Sequence, residues 1–205
     1  MIHNICYVKE RDDIVPPRIK VSKESIINSA FKLLRKQGIA KVNARDLARD
    51  LKCSVQPIFR TFEQMENLKK ELYHYVEEVF DKYMEEGMKN HRIPFLGMGL
   101  AYINFAKHEP NLFKFLFMSD EFKGRNILQM VRDESSNEII GIISSMTGLS
   151  FKESQTLFLN VWLVTHGIGS LMATNDCDFE EEQIEVILMD VFTGFKLQIK
   201  SKGDK

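Results

Sequence analysis

The chain has 205 residues, 44% hydrophobic and 28% charged, the balance of an ordinary soluble globular protein with material for one sizeable core or for a small module joined to a larger domain. Its apolar runs are short and interrupted, against the roughly 20 residues of a membrane helix, and its first twenty residues carry acids and no apolar stretch of a secretory signal, so a cytoplasmic protein with no membrane partner is expected. The net charge of −1 hides an asymmetry: residues 18–62 hold eleven Lys and Arg against three Asp and Glu, a balance of +8, whereas residues 63–205 stand at −8, and such a basic end points to a polyanion.

Residues 1–20 form an unpatterned leader ending in VPPRIK, where Pro16 and Pro17 favour extended backbone. SKESIINSAFKLLRKQG predicts the first helix. Ser22 is its N-cap, Ile26, Ala30, Leu33 and Leu34 recur at helical spacing, and Gly38 supplies a left-handed C-cap. VNARDLARDL predicts a short helix capped by Asn43, with Leu47, Ala48 and Leu51 inward. KCS makes a tight turn in which Cys53 is a small filler. Cys6, Cys53 and Cys177 are odd in number and far apart, as free thiols are. SVQPIFRTF follows, with a proline inside it. A proline in a helix interior removes a hydrogen bond and clashes with the preceding turn, at roughly 3 kcal/mol. With Ser54 as N-cap, Pro57 falls in the first turn, whose amides have no helical partner, so it marks a start and not a break. Ile58 and Phe62 anchor this two-turn helix.

From Met65 a long amphipathic helix carries Leu68, Leu72, Tyr75, Val76, Val79 and Tyr83. Pro94 opens a helix over about 94–108, and Pro110 opens a short one. A helix near 124–147 is weakened at Gly141. Ser150 caps another over 151–173, and a last one runs over 179–200 with acids in its first turn, where the helix dipole favours them. No alternating strand pattern appears. The expected fold is all-α with about nine helices: a leader (1–20), a three-helix helix-turn-helix DNA-binding module (21–66) and a helical bundle (67–205).

Two short helices joined by a tight turn behind a supporting helix make a helix-turn-helix, whose second helix enters the major groove of double-stranded DNA. The side chains suit that use. Gln56 can pair bidentately with adenine, Ser54 can bond a base or a phosphate, Arg60 and Thr61 suit phosphate or base, and Arg45 suits the flanking backbone. VNARDLARDLKCSVQPIFRTFEQMENLKKELY, within residues 22–72, resembles the DNA-binding domain of TetR/AcrR transcriptional regulators. It departs from that pattern at Lys52, where glycine is usual, at Phe59, where tyrosine is usual, and at Met65, where lysine is usual. Pattern and resemblance together give Asn43, Arg45, Lys52, Ser54, Val55, Gln56, Phe59, Arg60 and Thr61 as the DNA-facing set.

YINFAKHEPNLFKFLF and WLVTHGIGSL resemble a ligand domain of one branch of that family, marked by Trp-x-x-x-His-Gly, here Trp162, His166 and Gly167. The resemblance implies a homodimer through the last two helices and a small-molecule inducer. Phe158, Trp162, Leu171, Ile184, Ile187, Leu188, Val191 and Phe195 are the expected seam. Tyr102, Phe105, Phe113, Phe117, Met118 and Trp162 are the expected apolar walls of a ligand site, with Asn104 and His166 as its polar groups. An aromatic stripe at helical spacing also reads as plain core, and His166 also reads as a core histidine bonded to a backbone carbonyl. His74 with Glu77 and Glu78 reads as a solvated helix face rather than a metal site, and GMGLAY follows no strand, so it is no phosphate loop. No nucleophile–base pair or metal cluster stands out, so no enzyme and no cofactor is expected. The reading is a TetR-type regulator, a repressor released from a palindromic operator by an inducer. Its alternative is a helical small-molecule-binding or adaptor protein with a degenerate helix-turn-helix.

Overall fold

Each short helix of the N-terminal module is fixed by a local cap. In a computed structural model, which describes residues 21–119, 136–174, 177 and 179–203, Ser22 Oγ accepts the Ser25 amide at 3.1 Å and opens α1 (Lys23–Gln37). Gly38, at φ 81°, closes it, its N–H donating to Leu34 O at 2.8 Å. After a 3₁₀ turn at Ile39–Lys41, Asn43 Oδ1 accepts the Asp46 amide at 3.0 Å and opens α2 (Ala44–Asp50). Lys52 takes the left-handed conformation at φ 51°, where a glycine would sit without strain. α3 (Gln56–Phe62) starts one residue later than Ser54 would set it: Val55 is the N-cap, and its carbonyl receives the Ile58 and Phe59 amides. Pro57 is then the second helical residue, where its missing N–H leaves no bond unmade.

The body continues with α4 (Met65–Asn90), α5 (Pro94–His108), α6 (Pro110–Phe117), α7 (Asn137–Thr147), α8 (Phe151–Thr174) and α9 (Glu181–Gly203). Among the described residues there are nine α-helices and no strand, an all-α fold. The leader and the first part of the helix expected near 124–147 lie outside the described residues, and Gly141 sits inside an unbroken α7. Ser150 and Glu153 form a reciprocal capping box before α8: Glu153 Oε2 accepts the Ser150 amide at 2.8 Å, and Ser150 Oγ accepts the Glu153 amide at 3.4 Å. α9 begins at Glu181, two residues later than expected, and runs to Gly203.

α5 is the central helix, with nine buried residues, packed against α4, α6, α8 and α9. One apolar cluster runs without a gap from Ile26, Leu34 and Leu47 of the module through Leu68 and Leu72 of α4 to Phe105, Phe113 and Ala173 of the body. Polar ties reinforce the same junction. Arg35 grips the Glu109 carboxylate through two guanidinium nitrogens, one of them Nε at 2.7 Å, and Asn111 Nδ2 donates to Arg35 O at 3.0 Å. Lys23 pairs with Glu71 at 2.7 Å and lies over the Phe62 ring.

Against the sequence expectation, α8 is long and apolar enough, by length and composition, to cross a membrane. Counting uninterrupted runs hides this, because its polar residues are small and scattered. Within the fold 44% of its most apolar window is buried, with Leu157, Phe158, Val161, Ile168 and Met172 turned inward.

The α4–α5 hairpin is held at its closed end by two glycines. A Cβ built on Gly97 would lie 2.2 Å from Gly87 O and 2.4 Å from His91 Cβ, and one built on Gly87 would lie 2.4 Å from Ala101 Cβ. These neighbours include backbone, which cannot rotate aside. In an ordinary helix interior, glycine to alanine stabilises by roughly 0.5–1 kcal/mol. Here Gly97→Ala should instead destabilise by about 1–3 kcal/mol, as overpacking does. Gly141→Ala, where an added Cβ meets nothing within 4 Å, should stabilise. Thermal unfolding of the two variants checks the opposite signs.

Candidate nucleic-acid interface and internal cavity

The turn and α3 present an outward face of polar and basic side chains. Lys52, Ser54, Val55, Gln56, Phe59 and Arg60 are all exposed, and Arg45 is exposed on α2. Spacing places Val55, Gln56, Phe59 and Arg60 on one side of the helix, opposite the buried Ile58 and Phe62. Arg45, Lys52 and Arg60 have no ion pair among the described residues, so their charge is uncompensated there. Arg49, by contrast, is paired with Asp46 at 2.8 Å. Two of the expected DNA-facing residues serve the fold. The Asn43 side chain is occupied as the α2 cap, donating to Asp46 Oδ2 at 2.7 Å, and the Thr61 hydroxyl donates to Pro57 O at 2.9 Å. Val55 and Phe59 give the face an apolar component, suited to thymine methyl groups.

Inside the body, α4, α5, α6, α7, α8 and α9 line a cavity of about 320 Å³. Tyr102, Phe117 and Trp162 line it, as the sequence suggests. The other expected ligand residues lie elsewhere. Phe105 and Phe113 are fully buried in the aromatic core behind the wall, Met118 is exposed at the end of α6, and Asn104 is off the cavity with its amide 3.5 Å from Glu181 Oε2. His166 is also absent from the lining. Its Nδ1 lies 2.8 Å from the Tyr102 hydroxyl, its Nε2 lies 3.4 Å from Ser170 Oγ, and its ring stacks on Trp162 at 4.8 Å and 7°. His166 is therefore a core histidine, bonded to a hydroxyl and not to a backbone carbonyl, that holds two wall residues in place. Gly169 leaves room for this: a Cβ there would stand 3.3 Å from both Tyr102 and Phe113.

Burial sets the protonation of this pair. It pushes the Tyr102 phenol up and the His166 imidazole down. A neutral ring protonated on Nε2 satisfies both contacts, since Tyr102 then donates to Nδ1 while Nε2 donates to Ser170 Oγ.

Sequence reasoning missed most of the wall. Met84, Met98, Met146 and Met189 line the cavity, with Phe192 and Lys196 on the same face of α9. The spacing of Leu188, Phe192 and Lys196 is the signal, but that face reads equally well as a dimer seam. Of the expected seam, Phe158, Ile184 and Leu188 are buried within the chain's own core, and Trp162, Ile187, Val191 and Phe195 are half-buried against it. Of that set only Leu171 is exposed. The outward apolar residues of the two helices are Phe151, Leu163 and Leu171 on α8 and Val186, Leu197 and Met189 on α9, the last also lining the cavity.

No known family model matches the sequence, and no curated protein matches it. The fold is similar to a solved structure from Pseudomonas aeruginosa PAO1, described in the words "putative transcriptional regulator", with a TM-score of 0.62 and 13% identity over 85% of this chain and 90% of that one. At that identity the likeness is one of fold.

The His166 environment predicts a pH dependence. A histidine held below its ordinary value stays neutral in the fold but takes up a proton in the unfolded chain. Its contribution to stability is complete above about 6.5, the unfolded value, and is lost as pH falls from there through the lowered folded value. His166→Gln keeps an acceptor for Tyr102 without titrating. Urea unfolding at a series of pH values should show a steeper acid-side loss for the native chain than for this variant.

Proposed function

We infer that the chain is a cytoplasmic DNA-binding transcriptional regulator of the TetR type, a repressor that holds a palindromic operator as a homodimer and releases it on binding a small-molecule effector. The observation that carries this reading is the outward face of α3, where Gln56 and Arg60 stand beside Val55 and Phe59 with uncompensated Lys52 and Arg45 flanking them. Such a helix matches the major groove in shape and in hydrogen-bonding chemistry, while the flanking cations match phosphate. The +8 balance of residues 18–62 supports it, and so does the fold shared with a chain described as a transcriptional regulator.

α4 supplies the link between effector and DNA. Its first turn is tied to α3 by Asn67 Nδ2, which donates to Phe62 O at 3.0 Å. Its later turns put Phe80 and Met84 into the cavity wall. A ligand that favours one tilt of α4 over another changes the separation of the two α3 helices in a dimer. Without such a difference in affinity, it would change nothing. The exposed apolar row of α8 and α9 is the surface on which two copies pair, each residue acting twice across the two-fold axis.

Selection from random duplexes followed by band shifts tests DNA binding. If each protomer neutralises ~3–4 phosphates, log affinity should fall with log salt at a slope of roughly −5 to −7. Gln56→Ala should cost about 1–3 kcal/mol at one or two base positions and relax choice there. No salt-sensitive binding to any selected duplex would leave a helical ligand-binding or adaptor protein instead. Leu163→Asp and Leu197→Asp sit outside the core, so each should give a folded monomer by sedimentation velocity. Dimers persisting in both would place the interface elsewhere.

A further inference from the structure

The cavity has an unusual polar inventory. Its walls are apolar, and among the described residues Lys196 is the one charged side chain that lines it and no carboxylate does. The hydroxyls on the wall are already engaged: Thr147 Oγ1 donates to Ile143 O at 2.7 Å, Thr165 Oγ1 donates to Val161 O at 2.9 Å, and the Tyr102 hydroxyl is paired with His166. Two donors are left over. The ammonium of Lys196, a residue of intermediate burial, and the Trp162 indole N–H have no hydrogen-bond partner among the described residues. Both donate and neither accepts. A neutral apolar ligand would offer the ammonium nothing beyond water, a cation would repel it, and an anion would pair with it.

The walls narrow the rest of the ligand. Four of the chain's ten methionines, Met84, Met98, Met146 and Met189, line the cavity. Unbranched and polarisable, they adapt to a chain with many conformers better than to one rigid shape. The volume of about 320 Å³ stands at the small end of the roughly 300–1,000 Å³ range of ligand sites.

We propose that this cavity binds a medium-length aliphatic carboxylate, its tail among the methionines and its head on Lys196. Lys196 is thus the specificity-determining residue of the effector site. This deepens the regulator reading and rests on it only for the ligand's role as an effector; binding itself is independent of DNA.

The chain's single tryptophan lies in the cavity wall, so its fluorescence reports occupancy. The full-length protein is titrated, without DNA and below micellar concentrations, with dodecanoate, dodecanol and dodecyltrimethylammonium. The carboxylate should bind about tenfold or more tighter than the alcohol, as a charge-assisted hydrogen bond in a partly buried site provides, and the ammonium should bind most weakly. Lys196→Met should bring the carboxylate down to the alcohol's affinity and leave the alcohol unchanged, with Lys196→Gln as the second variant if the first folds poorly. Equal affinity for carboxylate and alcohol in the native chain overturns the proposal. So does a preference that survives loss of Lys196, or a Trp162 signal that answers to none of the series. Band shifts on the same protein separate the two claims: carboxylate-selective binding with no operator removes the regulator and keeps the site, whereas operator binding with no carboxylate selectivity does the reverse.

Discussion

The architecture depends on the close approach of α4 and α5 at Gly87 and Gly97. With no Cβ on either residue, backbone meets backbone across the two helices. That contact fixes the closed end of a hairpin whose other end reaches the N-terminal module. α4 is 26 residues long, so at 1.5 Å per residue a small change in crossing angle at one end becomes a displacement of ångströms at the other. The cavity lies beside this pivot, with Phe80 and Met84 from α4 facing Met98, Gly99 and Tyr102 from α5.

Tyr102 carries the second constraint. Its ring packs against Phe80, Phe113, Phe117 and Trp162, and its hydroxyl finds His166 on α8. Burying a phenol without a partner would be unfavourable by about 1–3 kcal/mol, and the same holds for an imidazole. Each group answers the other, and the stacked Trp162 ring is held flat against His166. A neutral polar pair thus orients an aromatic wall without placing a charge in it. Lys196, the one cation of the wall among the described residues, stands apart on α9.

The module and the body share one apolar core, so they communicate through packing as well as through ion pairs. Leu68 and Leu72 of α4 belong to the same cluster as Leu34 and Ile58 of the module. The Arg35–Glu109 contact lies over this cluster, with the carboxylate largely shielded and the guanidinium about half exposed. Its geometry is bidentate, which fixes orientation more than it adds stability at a screened surface.

What the sequence by itself determined is local. Ser22, Gly38, Asn43 and Ser150 cap helices through atoms three or four residues away, so their spacing predicts the bonds seen. Pro57, Pro94 and Pro110 mark helix starts for the same reason, and Lys52 occupies the left-handed turn position that the helix-turn-helix pattern requires. Even there α3 is capped at Val55 rather than Ser54, with no side-chain cap bond. The tertiary structure alone decided which aromatic residues are wall and which are core, because Tyr102, Phe105 and Phe113 share one pattern and differ only in what stands opposite them. It also decided that His166 is a brace and Lys196 a lining group, and that GMGLAY holds a helix crossing. Those outcomes depend on residues brought together from helices far apart in the chain, and periodicity records which face a side chain occupies but not what that face meets.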